Sequence, residues 1–105
     1  MIGRLMKMTA QPGRGPELAN LLLQVTKNLH DAPGCEIYLI AQDAQDPDTV
    51  RVIEAWQSEE SAQQALASSS NSPDNDAPKP ADVIALLAAP PERIDLDLLG
   101  GIGLP

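Results

Sequence analysis

Apolar and polar residues alternate along the first nine positions. Ile2, Met6 and Met8 fall on one parity, and Gly3, Leu5, Lys7 and Thr9 on the other. A period of two predicts a strand, which Pro12 and Gly13 end. The period then changes. Across "GPELANLLLQVTKNLHDAPG", Leu18, Leu21, Leu22, Val25 and Leu29 recur at helical spacing and make one apolar stripe. Pro16 suits the first helical position, Glu17 the positive end of the helix dipole, and Pro33 and Gly34 the stop. Two more alternating runs follow. In "CEIYLIAQD", Cys35, Ile37, Leu39 and Ala41 oppose Glu36, Tyr38, Ile40 and Gln42. In "VRVIEAWQ", Val50, Val52, Glu54 and Trp56 oppose Arg51, Ile53, Ala55 and Gln57. The Asp/Pro cluster between them predicts a hairpin.

Ser58 can cap a second helix, with Glu59 and Glu60 in its first turn. That helix has little to bury beyond Ala62, Ala65 and Leu66. Residues 68–80 are polar and of low complexity, and predict a flexible loop. "ADVIALLAA" predicts a short apolar helix, broken by Pro90 and Pro91. "ERIDLDLL" alternates Ile94, Leu96 and Leu98 against Arg93, Asp95 and Asp97, a last strand before a Gly-rich tail.

The order strand, helix, strand, strand, helix, strand is the βαββαβ plan of an α+β, ferredoxin-like domain. The 105 residues are read as one such domain, 1–105. The second strand is apolar on both faces, yet the helices of this plan cover only one. A second copy of the chain is the simplest cover for the other, so a homodimer is expected.

Composition narrows the function. Tyr38 and Trp56 are the only aromatic residues, and 43% of the chain is apolar, so the core is aliphatic. A net charge of −8 and the lack of a basic stripe argue against nucleic-acid binding. The apolar run from Val83 to Ala89 falls far short of the ~20 residues that span a bilayer, so no membrane partner is expected. The single Cys35 cannot form an internal disulfide, and the amino terminus lacks the apolar block of a signal peptide. Both fit a reducing cytoplasm.

Three pieces carry a family resemblance: "MIGRLMKMTAQPGRGPELANLL", "DAPGCEIYLIAQDAQDPDTVRVIEAWQSEES" and "APPERIDLDLLGG". They combine a first strand closed by Pro-Gly, a Pro-Gly-Cys-x-x-Tyr opening of the second strand, and a Glu-x-Trp close of the third. In this order and spacing the chain resembles the antibiotic biosynthesis monooxygenase-like domains, some of which are described as quinol monooxygenases. The resemblance implies a dimeric α/β barrel, in which two four-stranded sheets face each other and each subunit keeps a pocket between sheet and helices. It also implies oxidation of polycyclic phenols or quinols by O₂, with no cofactor, neither flavin nor metal. Other members have no known activity. The chain departs from the pattern on the helix after Trp56. Members commonly carry His at positions that here are Ala62 and Ala65, and Ser70 stands where another is often found.

The chemistry open to this sequence is therefore narrow. Glu54 shares a strand face with Trp56 and is the candidate catalytic base, while Trp56 and Tyr38 are the candidate substrate-binding residues. Trp56 either stacks on a flat ligand or serves packing; Tyr38 either binds a phenolic oxygen or packs with its hydroxyl at the rim. His30 suits the last turn of the first helix as a cap. Cys35 reads as a buried structural thiol. One His and one Cys cannot supply a zinc site. Asp43, Asp46 and Asp48 lack the Gly and Glu of a calcium loop, so no metal is expected. Two functions follow: a cofactor-independent monooxygenase on a quinol-like or polycyclic aromatic, or a non-catalytic dimeric module that binds a small apolar ligand. An unperturbed Glu is a poor base toward a phenol, with pKa values of about 4.3 and about 10. Turnover is expected to be weak or absent, and to depend on Glu54 where it occurs.

Overall fold

The computed structural model describes residues 1–29, 31–70 and 80–103. His30 and most of the expected loop, residues 71–79, lie outside the described residues. The order is β1 (Ile2–Thr9), α1 (Gly15–Leu29), β2 (Cys35–Gln42), β3 (Thr49–Trp56), α2 (Glu59–Ser70), α3 (Pro80–Ile84) and β4 (Glu92–Asp97). The strands form one antiparallel sheet in the order β2-β3-β1-β4. β1 and β2 therefore run parallel with β3 inserted between them, the split βαβ of a ferredoxin-like α+β fold.

The period-two pattern sorts the sheet into two unlike faces. On the helix side, Met8, Ala10, Val50 and Val52 meet Leu18 and Leu22 of the α1 stripe in one buried cluster. Trp56 meets Leu29, Ala62 and Ala65 in a second. Burying each large aliphatic side chain contributes about 1.5–3 kcal/mol, so the α1 stripe is a main anchor of the fold. On the other side the register aligns Leu39, Ile53, Leu5 and Ile94 in a row across all four strands. Beside it run Ile37, Ala55, Gly3 and Leu96. Among the described residues no helix covers this face, and Leu39, Ile53, Ile94 and Leu96 are 39–56% exposed.

The structure departs from simple alternation at one point. Cys35 opposes Trp56 while Ile37 opposes Ala55, so Glu36 is an extra residue in β2. This bulge moves Cys35 off the face of Ile37 and into the Trp56 cluster. It follows Gly34, whose φ of +81° suits glycine and whose carbonyl accepts the Gln57 amide at 2.8 Å.

Two helices also end away from their expected limits. Serines 68–70, expected in the loop, instead close α2, because the Ala-rich turn before them propagates the helix. The expected helix over 81–89 stops at Ile84. Beyond it the backbone turns back to the end of β1: Leu87 bridges Ala10, Leu86 accepts from the Gln11 amide, and Ala88 donates to the Thr9 carbonyl, both at 2.8 Å. The Ala88 amide is thereby spent on Thr9 and not on the helix, and Pro90 has no amide to donate to the Leu86 carbonyl. Among the described residues no helix is long and apolar enough to cross a membrane.

The hairpin loop ties the first helix to the sheet. Asp48 accepts the Gly13 amide at 3.1 Å and the Gly15 amide at 3.0 Å, which caps α1 from a distant loop. The approach is so close that a Cβ on Gly15 would lie 1.9 Å from the Pro47 carbonyl oxygen. Urea unfolding should therefore show a loss of about 1–3 kcal/mol for Gly15→Ala, where backbone must give way. Asp48→Ala should lose about 0.5–2 kcal/mol as a missing cap. Parental stability in both variants would mean that this loop does not hold the helix.

Candidate functional site

On the helix face one register row is polar. It runs Tyr38 of β2, Glu54 of β3, Arg4 of β1 and Asp95 of β4. The neighbouring row toward the hairpin, Ile40, Val52, Met6 and Arg93, is apolar until the edge strand. The polar row thus crosses an otherwise aliphatic layer. Arg4 and Glu54 are 4% and 5% exposed, which is unusual for ionisable side chains.

Each group has identifiable partners. The Trp56 indole N–H donates to Glu54 Oε1 at 3.0 Å, a contact available because residues two apart on a strand share a face. Arg4 donates from its terminal amine to Glu59 Oε1, in the first turn of α2. Ser58 sets that turn in place: its hydroxyl accepts the Ser61 amide at 3.1 Å, the N-cap that the sequence predicts. Asp95 pairs with its neighbour Arg93 at 3.1 Å. Beside this group a cleft of about 370 Å³ is lined by Ile2, Gly3, Glu59, Asp95, Leu96 and Asp97.

Burial sets the acid–base character. Glu54 is pushed above its ordinary range by desolvation, against the opposing pull of the indole N–H and then of the Arg4 and Arg93 charges; Glu59 adds to the rise. Burial also raises the Tyr38 hydroxyl, with Glu54 as the next cause, so Tyr38 stays a proton donor. The Cys35 thiol moves up for the same two reasons, with Glu36 third.

The three residues singled out from sequence thus come together, but not in equivalent ways. Glu54 and Tyr38 are cross-strand neighbours. Trp56 is 0% exposed, and Ala62 and Ala65 pack in its cluster. Its ring offers no open face for stacking; what it gives the site is the N–H on Glu54. The two alanines that stand where histidines were expected supply the shallow surface on which the indole sits. Arg4 and Glu59 were not anticipated as site residues. The signal was present: Arg4 shares the parity of Ile2, Met6 and Met8, and a cation at an inward strand position demands a buried anion.

The hairpin carboxylates have other work. Asp43 accepts the Gln45 amide at 2.9 Å, Asp46 accepts from Asp48 and Thr49, and Asp48 caps α1. Among the described residues no cluster of three or more His, Cys, Asp or Glu side chains could hold a metal ion.

The chain is thus a ferredoxin-like α+β domain with a buried carboxylate under its helices. The chain belongs to the antibiotic biosynthesis monooxygenase family, whose model matches residues 1–71. A Chloroflexus aurantiacus protein of the antibiotic biosynthesis monooxygenase type is 33% identical, with a TM-score of 0.78 over 99% of this chain and 98% of that one. Two others share the fold. A Caulobacter crescentus protein of the same type is 19% identical, with a TM-score of 0.76 over 94% of this chain and 90% of that one. A Nitrosomonas europaea protein of unknown function is 22% identical, with a TM-score of 0.74 over 99% and 93%. No curated protein matches the chain.

The raised Glu54 carboxyl has a consequence for stability. Its ordinary value is 4.5, and the folded chain holds the proton to higher pH than the unfolded chain does. Between those two values the native state binds more protons, so this group's contribution to stability falls as pH rises. Glu54→Gln lacks the effect. The difference in Tm between Glu54→Gln and the parent should therefore move in favour of the variant from pH 4.5 toward neutrality. A constant difference would show an unshifted carboxyl.

Proposed function

We propose that this protein is a cofactor-independent monooxygenase that acts, as a homodimer, on a quinol-like or polycyclic aromatic small molecule. The observation that carries the reading is Glu54: a carboxylate 5% exposed, raised by burial and held by an indole N–H, in a chain of the antibiotic biosynthesis monooxygenase family. Desolvation brings a carboxylate closer to a phenol in basicity, which an exposed Glu never achieves.

Glu54 accepts the phenolic proton. The resulting anion passes an electron to O₂, and the radical pair closes to a peroxide at a carbon that bears hydrogen; the peroxide takes the proton back from Glu54, and loss of water from the hydroperoxide leaves a carbonyl. One oxygen atom of O₂ enters the product and the other leaves as water. A free thiol at Cys35 fits a cytoplasmic setting. The two apolar rows on the open sheet face support pairing with a second copy.

Oxygen uptake with a panel of quinols and anthrone-like phenols tests the chemistry. Glu54→Gln should lower turnover by about 10²–10⁴-fold, the usual contribution of a general base. Trp56→Phe should shift the pH profile upward, because Glu54 loses the N–H that stabilises its anion. Turnover that survives Glu54→Gln would place the base elsewhere. The covered Trp56 ring favours a second reading, a non-catalytic module for a small apolar ligand, and no uptake with any phenol would leave that one standing.

Light scattering tests the assembly. The expected mass is twice the 11.1 kDa chain, and Ile53→Lys, at the centre of the open face, should yield monomer. A monomeric parent would end the dimer reading.

A further inference from the structure

Removing a phenolic proton leaves an anion that needs its own donor. Glu54 can take the proton, but it cannot stabilise the oxygen left behind. Ala62 and Ala65 bring no imidazole to the task, so the donor must come from another element.

Arg4 has the required properties. It is 4% exposed, and its Nε is a buried donor without a hydrogen-bond partner among the described residues. Buried N–H groups are nearly always paired, so one left open points to a ligand. The terminal amine of the same guanidinium holds the Glu59 carboxylate. The two partners differ greatly in exposure: the Arg4 side chain is 4% exposed and that of Glu59 is 53% exposed. Glu59 lines the cleft and can swing into water, whereas Arg4 is fixed in the sheet. The Glu59 oxygen thus stands where an anionic ligand oxygen would sit on the guanidinium.

The surrounding charges define how that ligand arrives. Arg4 faces Glu54 from β3, Asp95 from β4 and Glu59 from α2, with Tyr38 one strand further and Arg93 engaged by Asp95. Asp95 and Asp97 on the cleft wall disfavour a free anion. The ligand therefore enters as a neutral phenol and ionises in place.

We infer that Arg4 is the oxyanion donor of this site: the phenolic oxygen displaces Glu59 from the guanidinium while Glu54, on the adjacent strand, takes the proton. The O–H bond breaks, the proton moves to the Glu54 carboxylate, and the electron pair stays on the oxygen held by Arg4. No redox change occurs in this step. The inference rests on the proposed function for its substrate class, a phenol, but not for the arrival of O₂.

4-Nitrophenol is the probe, because its anion alone is yellow. It is titrated into the protein under argon, at a pH where the free phenol is protonated. The bound phenol should show the anion band. Arg4→Met should lose that band and bind about tenfold or more weakly, while Arg4→Lys should keep part of it. Glu59→Gln removes the competing carboxylate from an exposed position and should tighten binding several-fold. Should Arg4→Met fail to fold, Arg4→Lys and Glu59→Gln decide the matter. Phenol that does not bind, phenol that binds without ionising, or an anion band indifferent to both Arg4 and Glu59 would overturn the inference. An Arg4-dependent band with no oxygen uptake from any quinol would sink the oxygenase reading and leave this one intact. Oxygen uptake undiminished in Arg4→Met would do the reverse.

Discussion

A guanidinium buried in an aliphatic layer must find its counter-charges, and much of this site follows from that requirement. Arg4 sits on the helix face of β1 at 4% exposure, opposite Glu54 in the strand register and under Glu59 of α2. Leaving such a charge unpaired costs several kcal/mol, far more than a surface ion pair returns. The first turn of α2 therefore has to approach the β1 strand, and Ser58 caps it at that point. The charge that organises the docking is also the charge that can receive an anion.

The two faces of the sheet divide the labour. The inner face carries the α1 stripe, the Trp56 cluster and one polar row; the outer face carries two apolar rows, followed toward the hairpin by the charged row of Arg51, Lys7 and Glu92. Alternation along each strand makes this division, because neighbouring residues point to opposite sides. The same strand thus supplies Glu54 to the site and Ile53 to the open face. Substitutions at these two adjacent positions therefore meet different surroundings, a buried polar row at one and an open apolar row at the other.

Small residues place the parts. Gly15 lets the hairpin loop touch the start of α1, and Gly34 permits the turn that leads into the β2 bulge. The bulge in turn seats Cys35 beside Trp56. Ala62 and Ala65 leave room for the indole, which then points its N–H at Glu54. Larger residues at those two helix positions would have to displace the ring from this seat.

Much of the architecture was legible in the sequence. The period-two runs place β1, β2, β3 and β4, and the Leu18–Leu22–Leu29 stripe places α1, because periodicity reports which face is buried. The pairing of Glu54 with Trp56 was legible for the same reason. Other features were not. The bulge at Glu36 and the early end of α3 depend on backbone partners from distant strands, which no local pattern records. The Asp48 cap of α1 spans more than thirty residues of sequence. The Arg4–Glu59 pair spans 55. Local spacing determined which residues face the core; only the folded chain decided which of them meet, because register across strands and the docking of α2 bring together groups that the sequence keeps far apart.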